Sequence, residues 1–271
     1  MDPTLITTNM RYWRMTPDPR LRRHVLCYFF ARPCDVGESR EGSSSASPPV
    51  GEDELLLPDG HSEIVFGIDG AFERWQVGQP DRRNIMQHSY VIGSRSHSVL
   101  TPDLAPVTVA GVKLDPRALR RLIGIPLVEF RESTLPLGEL GCGAIGRALS
   151  DVEDAVAGAH SPRAVADVLD HYLLGALRDP PPADAAVDEL LRQIQQHRGA
   201  LSIMDWTRQR RIDARHLERR FAAAIGMTPK RYARIVRFKH SYRALVAGVG
   251  PAGMHLDVVA CCGNSLNVSD G

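Results

Sequence analysis

Arg215, Glu218 and Arg219 are the residues of this 271-residue chain whose types and spacing most plainly suit chemistry. With Ala222 they follow the i, i+3, i+4, i+7 spacing of a single helix face. Two guanidinium forks and one carboxylate on such a face suit the edges of base pairs. Each arginine can bond bidentately to guanine O6 and N7 in a major groove, and Glu218 can accept from a cytosine amino group. His216 and Arg220 flank the face, and Arg210, Arg211, Lys230 and Arg231 bracket the helix, where contacts to phosphate would be made.

The elements that must position these residues can be read locally. Asp213 is a good N-cap for a helix over 214–225, Gly226 is its stop, and Ala214, Leu217, Phe221 and Ile225 form its apolar stripe. Before it, Ser202 with Asp205 three residues on is an Asp variant of the capping box. It opens a short helix whose apolar side is Ile203, Met204 and Trp206 and which ends near Arg210. Residues 187–197, with Val187, Leu190, Leu191 and Ile194 on one face, supply a buttress, and Thr228-Pro229 starts a further helix. Two helices, a tight turn and a following helix are the layout of a helix-turn-helix. Charge agrees: residues 187–248 carry 14 Lys and Arg against 5 Asp and Glu, a net +9 in a chain of net +1, leaving −8 for the rest. A basic module of this kind suits double-stranded DNA, whose neutralised phosphates release counterions. The alternative is a solvated helix face with ordinary pairs worth ~0.3 kcal/mol; RQRR at 208–211, the capped helix before and the basic helix after favour DNA.

Residues 213–232, DARHLERRFAAAIGMTPKRY, resemble the AraC-type transcription regulators, whose first helix-turn-helix ends in a SxRxLxRxF helix followed by GxTPxxY and a basic linker helix. Leu217, Arg219, Phe221, Gly226, Pro229 and Tyr232 match position by position. The resemblance implies two helix-turn-helix units joined by one long helix, here from Thr228 to about Ala247, and places base reading on Arg215, Glu218 and Arg219. Two positions depart from the pattern within the first unit. Arg211 stands where the family usually has Gly, which would strain a left-handed turn, and Thr207 stands where a small Ala is usual. At the C-terminus HLDVVACCGN (255–264) resembles the start of the second unit, but SLNVSDG replaces its recognition helix. The second unit is therefore expected to be incomplete, through truncation or a frame shift, the alternative being a deliberate short form.

The N-terminal part, 1–177, reads as a β-rich sensor domain. An apolar run at 24–33 is the expected first strand, and residues 38–54 are expected to form a loop with little to bury. Between 55 and 112 short β-like runs alternate with turn signals such as Asp59-Gly60 and Asp69-Gly70, predicting an antiparallel sandwich or barrel. A short helix at 116–122, an irregular stretch over 123–141 and helices at 144–156 and 162–177 follow, the latter two placed to pack on the β domain or to form a homodimer contact. The prolines of 178–186 mark a linker, and 187–271 is the DNA-binding domain, so the fold class is α+β. LPDG at 57–60 and the GVxxxP segment at 111–116 resemble one subgroup of the same regulators. His61 and Glu63 beside the first turn are candidates to line a small-molecule effector pocket, the alternative being an ordinary satisfied polar pair.

Other functions find little support. GxGxxG at 141–146 lacks the preceding buried strand and βαβ alternation that dinucleotide binding requires. No GxSxG, HExxH or other catalytic spacing occurs, and the five cysteines show no zinc-type pairing, so no enzyme, cofactor or metal is expected. Absence of a long apolar run points to a cytoplasmic location off the membrane. The runner-up function is a ligand-binding or dimerising sensor whose DNA-binding half is inactive.

Overall fold

The structure is a computed structural model and describes residues 4–7, 10–33, 53–79, 81, 83–86, 88–101, 107–130, 134–140, 144–178, 184–248 and 265–268. The strands are β1 (Thr4–Thr7), β2 (Met10–Met15), β3 (Val25–Pro33), β4 (Asp53–Leu56), β5 (Ser62–Asp69), β6 (Phe72–Gln76), β7 (Arg83–Met86), β8 (Tyr90–Ile92), β9 (Val99–Thr101), β10 (Thr108–Leu114), β11 (Thr134–Pro136) and β12 (Ser265–Val268). They form a seven-stranded sheet in the order β1-β2-β3-β10-β5-β8-β11 and a five-stranded sheet in the order β12-β4-β9-β6-β7. Every strand pair among the described residues is antiparallel. With the helices that follow, the chain is α+β.

Alternation along the strands divides the core in two. One face of the larger sheet presents Trp13, Tyr28, Phe30, Ile64, Phe66 and Val112 to the helices α1 (Pro116–Ile123), α2 (Ala144–Ala157) and α3 (Pro162–Ala176). The other face presents Tyr12, Ala31, Val65 and Tyr90 to Phe72 and Met86 of the smaller sheet. β3 is buried on both faces, which is why it reads as a continuous apolar run instead of an alternating one.

Several expectations change. The apolar run at 24–33 is the third strand, because the arm before it pairs as β1 and β2. β2, MRYWRM, is short and does not alternate, because Tyr12 and Trp13 are buried on opposite faces, so it gives no period-2 signal. Residues 134–136, expected to be irregular, close the sheet edge against β8. The Asp69-Gly70 turn is present, with Gly70 at φ 82°, but it carries the chain from one sheet to the other. Most of the expected loop at 38–54 lies outside the described residues.

The remaining helices, α4 (Ala185–Gln196), α5 (Ile203–Gln209), α6 (Ala214–Ile225) and α7 (Pro229–Gly248), enclose a second core of Val187, Leu190, Ile194, Trp206, Phe221 and Tyr232. Ala214 and Met204, expected on apolar faces, are exposed: Ala214 sits at the first helical position, before the stripe turns inward. The two halves touch. α6 packs beside α1 and residues 127–130, and Arg117 on α1 bonds both its own N-cap Asp115 and Asp188 on α4, at 2.8 and 2.7 Å. The Asp59–Gly60 turn lies against α7, where Lys239 Nζ donates to the Asp59 carbonyl at 3.1 Å.

Candidate nucleic-acid interface

The geometry around residues 202–232 follows from short-range capping. Ser202 Oγ accepts from the Asp205 amide and donates to the Asp205 carboxylate at 2.6 Å, fixing the start of α5. Asp213 accepts from the His216 amide at 2.6 Å and fixes the start of α6. Between them Arg211 takes φ 54°, so the left-handed turn expected to strain an arginine is present. Thr207 is buried, and its hydroxyl donates to the Met204 carbonyl at 2.9 Å, so the larger residue costs no unmet polar group. Gly226 at φ 87° ends α6, with its amide bonded to Ala222. A β-carbon there would also press on Leu127 of the β domain.

α6 buries Leu217, Phe221, Ala224 and Ile225 and leaves Arg215, Glu218 and Arg219 exposed together on the opposite side. Arg219 Nη2 lies 3.1 Å from His216 Nδ1, so these two neighbours share one patch. Arg210 is exposed and stacks over the Trp206 ring at 4.4 Å. Arg211 and Lys230 are exposed, and Arg231 is half-buried with Nη2 3.4 Å from His97 Nε2. Arg220 is engaged elsewhere. Its Nε donates to Asp184 Oδ2 at 2.6 Å and its Nη2 to the other carboxylate oxygen, bracing α6 to the N-cap of α4. Partial burial opposes ionisation of Asp184, but Arg220 and the Val187 amide outweigh it and hold the carboxyl below its usual range.

The two candidate effector residues stand in a charged cluster inside the β domain. His61 Nδ1 lies 3.4 Å from Asp59 Oδ2, and the His61 backbone amide donates to Asp59 Oδ1 at 3.0 Å. Glu63 Oε1 lies 3.4 Å from Lys113 Nζ, and the same ammonium is in close contact with Asp59. Burial opposes ionisation of Asp59, yet the Lys113 ammonium beside it holds its carboxyl well below the ordinary value. Arg74 on β6 and Arg95, before β9, complete the cluster. Sequence reasoning missed Lys113, Arg74, Arg95 and Asp184. The signal that could have found Arg74 is its period-2 spacing from Phe72 on β6.

A family described as a domain of unknown function (DUF6597) matches residues 13–136, the β-rich part of the chain. No curated protein matches. Among solved structures, a variant of ToxT from Vibrio cholerae strain SCE256 is similar over 91% of this chain and 86% of that one, at 8% identity and TM-score 0.40. The AraC-like transcriptional activator CuxR is similar over 86% of this chain and 80% of that one, at 11% identity and TM-score 0.32. Ectoine synthase from P. lautus is similar over 41% of this chain and 67% of that one, at 14% identity and TM-score 0.27. The neighbours therefore include AraC-like regulators, but at such scores these likenesses carry no argument for function. No helix among the described residues is long and apolar enough to cross a membrane. Residues 255–264, expected to begin a second helix-turn-helix, lie outside the described residues; 265–268, in the segment expected in place of its recognition helix, form β12 on β4.

Proposed function

We propose that the chain is a DNA-binding transcription regulator in which α6 enters the major groove and the β domain responds to a small-molecule effector. One observation carries the reading: α6 buries one side entirely and holds Arg215, Glu218 and Arg219 out on the other, at the end of a turn clamped by two N-caps. Arg215 and Arg219 are assigned to guanine edges and Glu218 to a cytosine amino group. Arg210, Arg211, His216, Lys230 and Arg231 are assigned to phosphate, with Arg220 reaching it only at the cost of its bond to Asp184.

The test is a fluorescence-anisotropy titration of the full chain with duplexes chosen from a random pool, over a range of salt. Affinity is expected to fall linearly on a log–log plot against salt. Arg215→Ala or Arg219→Ala should each cost about 1–3 kcal/mol and relax preference at one base position, whereas Lys230→Ala should leave preference intact and lower the salt slope by about one. Absence of binding at about 50 mM salt, or no loss in the two arginine variants, overturns the reading. A sensor with a silent DNA-binding half is the second reading. It is favoured by β12, which spends residues 265–268 on the β domain as a strand. A full chain that forms mixed dimers yet never binds duplex would select it.

A further inference from the structure

Inside the β domain, guanidinium nitrogens of Arg74 and Arg95 are enclosed without hydrogen-bond partners. Arg74 lies two residues from Phe72 on β6, so both point between the sheets, and its guanidinium sits 5.6 Å from the Phe72 ring centre. Arg74 Nε and Nη1 and Arg95 Nη1 are closed off from solvent and have no hydrogen-bond partner, although each residue as a whole is half-buried. Burial, and then the neighbouring Arg74, push the pKa of Arg95 below its ordinary value. Among the described residues, the acids that act on Arg95 are Glu63 and Asp59. Both already face Lys113, and Asp59 is in close contact with its ammonium. Among the described residues, Lys113 and the enclosed guanidinium atoms of Arg74 and Arg95 thus face the same two carboxylates.

A guanidinium with buried, unmade hydrogen bonds is costly, and two in each other's field are more so. A metal ion would add to the repulsion, and a neutral sugar would accept hydrogen bonds without offsetting charge. A group with two or more acceptor oxygens and a negative charge answers both deficits, because a guanidinium fork grips carboxylate or phosphate bidentately. We infer that the space between the two sheets is a binding site for a small oxyanion, or the oxyanion head of a larger molecule, clamped by Arg74 and Arg95. The inference names the chemical class of the effector and rests on the sensor half of the proposed function, not on DNA binding.

The test is thermal melting of the full chain, without DNA, in a buffer free of carboxylate and phosphate. Inorganic phosphate, acetate and benzoate are the probes; sodium chloride at matched ionic strength and neutral benzamide are the controls. At least one oxyanion is expected to raise the melting temperature saturably by several degrees. A response to phosphate alone assigns a phosphate head, and a response to acetate or benzoate assigns a carboxylate. Arg95→Met should abolish the rise and melt no lower than the native chain in the anion-free buffer, since it removes an unanswered buried charge; a purely structural arginine would melt lower. Should Arg95→Met fail to fold, Arg95→Lys keeps the charge and loses the fork, and must bind at least about tenfold more weakly. No rise with any of the three probes beyond the controls, or a full rise retained in both Arg74→Met and the Arg95 variant, overturns the inference. Because no DNA is present, a failed anion response and a failed duplex titration are separate results.

Discussion

Arg211 holds φ 54°, where a β-carbon crowds the following carbonyl at a cost of about 1–2 kcal/mol. Arg211→Gly relieves that strain and gives back part of it through the freer unfolded chain, about 0.4–1 kcal/mol. The expected net is a gain of about 0.5–1 kcal/mol, read as a higher urea midpoint at unchanged slope. A fall in midpoint would mean that the arginine side chain contributes more than its backbone loses. At this scale the sequence is legible wherever a residue's partner is close along the chain. Asp213 and His216 are three apart, as are Ser202 and Asp205, and both caps are readable from spacing alone. Arg220 and Asp184 are 36 apart, and nothing local in ERRF distinguishes an arginine that braces a neighbouring helix from one that meets phosphate. Arg74 and Arg95 are hidden for the same reason, since only the folding of two sheets onto each other brings them together.

Asp184 joins two elements. Its carboxylate caps α4 through the Val187 amide at 3.2 Å and grips Arg220 on α6. Asp184→Ala removes the cap and the brace, with an expected loss of about 1–2 kcal/mol, most of it from the cap because the ion pair is partly exposed and screened. Asp184→Asn keeps a capping oxygen and should lose less than half as much; Trp206 fluorescence during denaturation reads both. Equal losses in the two variants would place the stability in the ion pair instead. Among elements, α2 and α3 fall within a residue or so of their sequence-predicted ends, because apolar spacing persists over four turns and Ser161 supplies a cap. β1 and β2 escape notice, since an edge strand paired to β2 and a short strand paired to β3 are defined by those pairings more than by their own pattern.

At the scale of the molecule, the join between β3 and α1 carries a titrating group. Burial, then the nearby Arg121 and Arg23, pull His24 down from its ordinary value of 6.5 to about 4. The unfolded chain takes up this proton first. The contribution is therefore complete above pH 6.5 and is lost as pH falls toward 4, and stability should decline across that window. His24→Asn should flatten the decline in melting temperature between those limits, and an unaltered slope would refute the assignment. Asp59, held well below the usual carboxylate range, begins to weigh against the fold only in stronger acid. The charge asymmetry between the halves was plain in the composition, as was the α+β division. How the halves meet was not, because Arg117, Asp188, Asp59 and Lys239 carry no sequence mark of facing one another.

That meeting point has a consequence at Gly60. With φ 75°, its backbone runs so close to Tyr232 that a β-carbon would come within 2.8 Å of the ring, while Asp59 turns its carboxylate inward to Lys113 and its carbonyl outward to Lys239 on α7. A shift of that turn changes the interior and the helix at once, and free energy exchanged through it is reciprocal. Whatever factor an occupant of the β domain imposes on DNA affinity, DNA must impose on the occupant. Under the proposed function, the two ligands would then change each other's affinity by one and the same factor.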